Sequence, residues 1–209
     1  MTPRRAFLPL PREFFARSVL EVAPELVGAI LVRELPGGGR LTGRIVEVEA
    51  YDGERDLACH ASRGRTPRNE TLYGEPGRAY VYLCYGMHFL LNAVSAKAGY
   101  PAAALIRAIE PLDGREAMRP GRSVSVTASR PERIASGPGR LSRAFHVDLS
   151  LNRTDLCAKG PLWIAPGEPV RPRDLVRGPR IGVESAGAPW NRKAWRFGLR
   201  DHPALSVRF

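Results

Sequence analysis

The sequence predicts a single domain of mixed helices and strands, and three observations carry that reading. The chain has 209 residues, 44% of them apolar and 25% charged, which is ordinary for a globular domain and long enough for one sizeable core. Runs that alternate apolar and polar residues occur in the same chain as runs at helical spacing. No stretch reads as a linker or an internal repeat, so residues 1–209 form one unit.

The elements follow in order. Phe14, Phe15, Val19 and Leu20 fall at helical spacing, and Leu26 to Leu35 is an apolar, partly β-branched strand. Pro36-Gly37-Gly38-Gly39 reads as a hairpin tip. Strand-like runs flank it, and neither a helix start nor a Gly-Lys-Ser/Thr follows, which argues against a phosphate-cradling loop. From Gly43 to Tyr51 the chain alternates, with Val46, Val48 and Ala50 on one face and Glu47, Glu49 and Tyr51 on the other. Asp52 to Gly77 is polar and loop-like. Tyr80 to Asn92 predicts a second hairpin, with Tyr80 and Tyr82 on one strand face and Tyr85-Gly86 at the turn. Ala102 to Ile109 is another apolar run, interrupted by Arg107. Residues 119–135, rich in Arg, Ser and Pro, are expected to form a mobile basic loop. Ser136-Gly137-Pro138-Gly139 precedes Leu141, Ala144 and Phe145 at helical spacing, which predicts a helix N-terminus with free backbone N–H groups suited to phosphate. Pro161 to Val183 reads as strand, basic loop, strand, and the tail from Trp195 to Phe209 holds a last short strand.

Charge is the unusual feature of the composition. Lys plus Arg number 32 against 21 Asp plus Glu, a net charge of +11. That balance draws a protein toward polyanions. It has a bland explanation too, since Lys97, Lys159 and Lys193 are the only lysines and so large an Arg excess also arises from coding bias. No stretch approaches the roughly 20 apolar residues of a membrane helix. Prolines and Glu13 interrupt the first 20 residues, so no signal peptide is expected and the reading is cytoplasmic, nucleoid-associated if the source is bacterial. Cys59, Cys84 and Cys157 are odd in number and scattered, as expected of a reducing compartment without a disulfide framework. His60, His88, His146 and His202 fall in no ligand spacing, so no metal site is expected.

The candidate chemistry starts on the strand with Glu47 and Glu49. On that strand alone, a solvated sheet face accounts for both carboxylates. Their neighbours change the balance. Tyr51, His60 and Tyr82 lie in segments that can converge on one pocket, and Tyr85 occupies a hairpin tip where a large side chain would otherwise be wasted. A carboxylate, stacking rings, a projecting aromatic and many cations are what an enzyme needs to draw a base out of a helix and hold it.

The sequence resembles the alkyladenine (3-methyladenine or N-methylpurine) DNA glycosylase family from about Phe14 to Phe209. The densest motifs are GRIVEVEAY (Gly43 to Tyr51), HASRGRTPRN (His60 to Asn69), YVYLCYGMHFLLN (Tyr80 to Asn92) and LIRAIEP (Leu105 to Pro111). SGPGRL (Ser136 to Leu141) and RIGVESAG (Arg180 to Gly187) support them. The resemblance implies an α+β fold: a single mixed domain with a curved antiparallel β-sheet, surrounding helices and a protruding, DNA-intercalating β-hairpin. It implies Glu49 as the general base that activates water, with Glu47 on the same face as the alternative, and Arg107 as a cation beside them. Tyr51, His60 and Tyr82 correspond to residues that sandwich the flipped base, and the backbone at His60 to a group that reads its edge. Asn92 corresponds to a pocket residue that screens out the amine of guanine. Tyr85 corresponds to the intercalating side chain, with Met87 beside it. Arg65, Arg68, Asn69 and Arg140 are the expected DNA contacts. No cofactor is implied. The expected partner is double-stranded DNA containing damaged purines, with no membrane involved, and a monomer is expected because scanning a duplex needs no symmetry. The competing readings are a non-catalytic binding module for damaged DNA or RNA on the same scaffold, and an N-ribosyl hydrolase acting on free nucleosides.

Overall fold

The computed structural model describes residues 7–118 and 130–209. The basic loop expected over 119–135 lies outside the described residues except from Arg130 onward, where Pro131–Arg133 forms one 3-10 turn.

Among the described residues, eight strands, all paired antiparallel, form one curled sheet. They are β1 (Ile30–Glu34), β2 (Arg40–Asp52), β3 (Ala79–Cys84), β4 (His88–Ser95), β5 (Ala102–Pro111), β6 (Leu162–Ala165), β7 (Leu175–Gly178) and β8 (Arg196–Leu199). The main order is β3-β4-β5-β2-β1-β6. Among the described residues the helices are few and short: α1 (Arg12–Phe15), α2 (Val19–Leu26) and α3 (Pro138–Ala144). The α+β class expected from the sequence, a single mixed domain with a curved antiparallel sheet, is the one observed.

The long strand β2 organises the site. One edge pairs with β5 along Gly43–Asp52. The other pairs with β1 over Arg40–Arg44 and then with β8 over Glu47–Glu49. With strands on both edges and packed layers on both faces, β2 is buried from Ile45 to Ala50. The register against β5 slips at Glu47, which pairs with Ala108, and slips back at Val48, which pairs with Ile106. Arg107 is left between those pairs, beside the two carboxylates. Irregularities of this kind re-aim side chains and are common next to functional sites.

Alternation places the cores on both sides of the sheet. Leu31 joins the main core with α2, while Ile30 and Val32 pack with Phe7, Trp163 and Ala165 on the other side. Helix α2 buries Val19, Val22, Ala23 and Leu26, the i, i+3, i+4, i+7 stripe of one helical face, and Ser18 caps it by accepting from the Leu20 N–H. In the β3-β4 hairpin, Ala79 and Val81 face the main core. Tyr80 joins a second cluster with Cys59, Ala61, Leu72, Val94 and Ala103, and Tyr51 and Tyr82 pack on its rim. This second cluster is the bed of the candidate site.

Candidate active site

Glu47 and Glu49 are both fully buried. The solvated face that would explain them on β2 alone is absent, because β5, β8 and the C-terminal tail bring polar groups over it. Glu47 Oε1 accepts from Arg107 Nε (3.0 Å), Arg196 Nη1 (3.2 Å) and the Ser206 hydroxyl (2.7 Å), and Oε2 accepts from the Ser206 N–H (2.6 Å). Glu49 is held more lightly. Its Oε2 accepts from the Tyr51 hydroxyl (2.9 Å) and Arg107 Nη1 (3.2 Å), and its Oε1 from the Ile181 N–H (2.7 Å). Burying a carboxylate costs several kcal/mol unless it is paired and hydrogen-bonded, and two guanidiniums serve these two acids. Burial lifts the Glu49 carboxyl above the ordinary range. Arg107, the Ile181 N–H and Tyr51 offset part of that rise, and neighbouring Glu47 adds to it. Glu49 is thus a stronger base than a surface glutamate.

The aromatic residues do converge. Tyr51, His60, Tyr82, Asn92, Arg107 and Ile181 line one cavity of about 1410 Å³. Glu49 itself lies one layer behind that lining, and its three donors, Tyr51, Arg107 and Ile181, all belong to it. His60 opens a 3-10 turn (His60–Arg63), and its Nδ1 lies 2.9 Å from the Tyr80 hydroxyl. Its ring meets that of Tyr82 edge-on at 4.4 Å, and Tyr82 leans on Tyr80 at 5.2 Å. Burial, reinforced by Arg68, lowers the His60 pKa, so at neutral pH the imidazole is an uncharged ring. Asn92 of β4 pairs across from Tyr80 and donates its amide to the Tyr80 carbonyl at 3.0 Å.

The hairpin tip borders the same cavity. Tyr85 and Gly86 have φ of +49° and +68°, and the Met87 N–H donates to the Cys84 carbonyl at 3.1 Å. Two successive positive φ values make the tight turn that suits a twisted hairpin. A side chain larger than glycine at the first of them is strained, and this one is 86% exposed. Met87 beside it is 65% exposed. Arg68 donates to the Leu83 carbonyl (3.0 Å) and lies 5.8 Å from the Tyr82 ring, between hairpin and pocket. Arg140 stands exposed on α3, at the rim of the cavity. Arg65 is exposed and paired with Glu70.

Asn69, expected among the DNA contacts, is buried. Its amide donates to the carbonyls of His60 (3.1 Å) and Gly64 (2.9 Å) and accepts from the Thr66 N–H (2.7 Å). A loop without ladder partners needs such a side chain to satisfy its backbone, so Asn69 braces the segment that presents His60.

The methylpurine-DNA glycosylase (MPG) family matches residues 13–203. The chain belongs to this family. A protein from Methanocella arvoryzae is 50% identical over 199 residues, covering 95% of this chain and 96% of its own length. One from Myxococcus xanthus is 47% identical over 197 residues, covering 94% and 93%. Both carry the words 3-methyladenine DNA glycosylase in their names. The human DNA-3-methyladenine glycosylase is 42% identical over 214 residues, 99% of this chain and 70% of the human protein. Membership makes the protein a DNA glycosylase, a hydrolase of DNA repair.

Three features of this family member carry no role in the sequence reading. The Ile181 N–H holds Glu49, Tyr80 orients His60, and Arg180 with Asp56 packs behind Tyr51. A signal for the first and third was present in RIGVESAG, a polar and Gly-containing stretch too short to be a buried strand. Tyr80 gave none, because its alternation fits a core position equally well. Among the described residues, no cluster of His, Cys, Asp or Glu has the makings of a metal site, and no helix is long and apolar enough to cross a membrane.

Proposed function

We propose that the protein is a monofunctional DNA glycosylase that flips alkylated or deaminated purines out of duplex DNA and hydrolyses their N-glycosidic bonds as the first step of base excision repair. Its substrates on this reading include 3-methyladenine, 7-methylguanine, ethenoadenine and hypoxanthine. The observation that carries the reading is Glu49, a buried carboxylate whose three donors all line an aromatic cavity at the foot of an exposed wedge.

The chemistry follows from charge. A purine alkylated at N3 or N7 is positively charged and leaves as a neutral molecule, so the glycosidic bond is already weak. The sugar develops oxocarbenium character, which a carboxylate stabilises while it takes a proton from the attacking water. On this reading the attacking water approaches from the cavity, between Tyr51, Arg107 and Ile181, and donates to the second lone pair of Glu49 Oε1, the first being taken by the Ile181 N–H. Arg107 keeps the carboxylate oriented. Tyr51, Tyr82 and neutral His60 stack on the base, an arrangement that favours electron-poor rings, and Asn92 screens against the exocyclic amine of normal guanine, which lacks the positive charge that compensates in 7-methylguanine. Tyr85, with Met87, fills the space the base vacates, and Arg65, Arg68 and Arg140 hold phosphates. None of the three lysines lines the cavity, which supports hydrolysis without a Schiff-base lyase step. The protein acts on one duplex as a monomer.

A duplex oligonucleotide with a single lesion, incubated with excess protein and then treated with alkali, tests the reading. Strand scission at one or more of the four lesions is expected. A complete lack of scission on all four removes it.

A further inference from the structure

Tyr51 has two faces, and the protein occupies one of them. Arg180 lies outside the cavity lining. Its guanidinium carbon sits 4.7 Å from the centroid of the Tyr51 ring and 5.0 Å from that of Trp195, so a full positive charge is buried against the side of Tyr51 turned away from the cavity. Asp56, in the loop that follows β2, meets that charge in a two-pronged pair, Nη1 to Oδ2 at 2.5 Å and Nη2 to Oδ1 at 2.8 Å. Both side chains are fully buried. Arg180 also donates to the carbonyls of Ala50 (2.9 Å) and Trp190 (3.2 Å), and Asp56 accepts from the N–H groups of Asp52 and Ala58 (both 3.1 Å). The pair is fixed in place and carries no net charge.

A bare guanidinium there would work against the reaction. Two cations on opposite faces of one ring draw on the same π electrons. A cationic base stacked on the open face would also feel a like charge about 9 Å away, a repulsion on the order of tenfold in affinity at an effective dielectric near 20. A neutral base would feel almost none of it. We propose that Asp56 is a specificity-determining residue: by neutralising Arg180 behind Tyr51, it lets the pocket accept purines that carry a positive charge. Arg180 remains useful as the packing that fixes the Tyr51 ring. Its neighbour Ile181 supplies the N–H that holds Glu49. The inference rests on the reading that Tyr51 stacks the excised base.

The test compares single-turnover excision of 7-methylguanine, which is cationic, with that of hypoxanthine, which is neutral, at pH 7.5. Asp56→Asn is expected to lower the 7-methylguanine rate about tenfold relative to hypoxanthine. Adding Arg180→Gln removes the second charge and should bring the ratio back to within about twofold of wild type. Arg180→Gln alone leaves an anion behind the ring and should move the ratio the other way. If Asp56→Asn melts too low to assay, this oppositely signed variant carries the test. Parallel losses on both lesions, or a ratio that the second substitution fails to restore, would overturn the proposal and assign the pair to loop stability alone. Should the wild type cut 7-methylguanine but not hypoxanthine, loss and restoration on 7-methylguanine decide the matter. Should it cut neither, 3-methyladenine and ethenoadenine, likewise cationic and neutral, take their places, and a wild type that excises none of the four lesions brings down the glycosylase reading itself.

Discussion

Replacing Glu49 by Gln separates the base from its scaffold. The amide keeps the shape of the side chain but only one acceptor oxygen. Either the Ile181 N–H or the Arg107 and Tyr51 donors then face an NH₂ group. Losing an acceptor for a buried donor costs about 1–3 kcal/mol. Against that, the raised pKa of Glu49 means that folding penalises its ionised form, and a neutral amide escapes that penalty. Arg107 keeps its bond to Glu47. The two effects oppose each other, so the fold should survive with a change in stability of about 1 kcal/mol or less. Activity has no such compensation. General-base assistance is worth roughly 10²- to 10⁴-fold. A unit negative charge about 4 Å from a developing oxocarbenium is worth about 4 kcal/mol at an effective dielectric of 20, itself about 10³-fold. The two overlap, and a loss of at least about 10³-fold in the single-turnover rate on 7-methylguanine duplex is expected, with lesion-duplex affinity within about threefold of wild type by gel shift. Glu47→Gln is the control. Its carboxylate takes four bonds from Arg107, Arg196 and Ser206, so it should lower the melting temperature more than Glu49→Gln does, while rate per folded molecule falls far less. A Glu49→Gln enzyme within tenfold of wild-type rate, or a Glu47→Gln enzyme that is folded and inactive, would refute the assignment.

Three further outcomes follow from the same geometry. Because burial raises the Glu49 pKa and the base must be ionised, the excision rate should fall as pH drops through a value above the usual glutamate pKa of about 4.3. It should be flat on the alkaline side of that value, and a rate still constant down to pH 4 would contradict it. Tyr85→Ser removes the exposed ring at the hairpin tip, so affinity for lesion duplex should fall at least about tenfold, while binding to the same lesion in single-stranded DNA changes little; equal losses on both deny the wedge role. Arg140→Ala should weaken duplex binding at low salt and reduce the slope of log affinity against log salt by about 1, and an unchanged slope removes Arg140 from the phosphate contacts.

Much of the fold was legible in the sequence because alternation and turn chemistry are local. The Pro36–Gly39 and Tyr85-Gly86 turns, the run of β2 and the tyrosine face of β3 all came from periods of two and, at the turns, from glycines that tolerate positive φ. The burial of Glu47 and Glu49 was not legible from β2 itself. An alternating strand looks the same whether water or another layer covers its polar face. The clue lay elsewhere, in Arg107, a lone cation inside an apolar run that only a buried anion would justify. Asn69 shows the converse limit. A polar residue in a basic loop suggests contact with DNA, yet its partners are carbonyls of its own loop, and no sequence pattern distinguishes the two. The Asp56–Arg180 pair joins residues 124 apart in the chain, a contact that only the closed sheet creates.

The two buried acids divide the work because the cations are divided unevenly. Glu47 engages both Arg107 and Arg196 and is further tied by Ser206. Its two oxygens take four bonds, and it serves as the anion that keeps Arg107 in place. Glu49 shares one of those guanidiniums and nothing from Arg196, so its basicity is set mainly by burial. Were Arg196 to reach Glu49 as well, the carboxylate would be stabilised and would make a poorer base. Were Glu47 missing, Arg107 would lean wholly on Glu49 with the same result. A net charge of +11 favours approach to a polyanion such as DNA, but on the proposed mechanism the Glu49 carboxylate has to be shielded from that excess. On the proposed mechanism Glu47 provides that shield by engaging the nearest positive charge, which explains why β2 carries two buried acids side by side where catalysis needs only one.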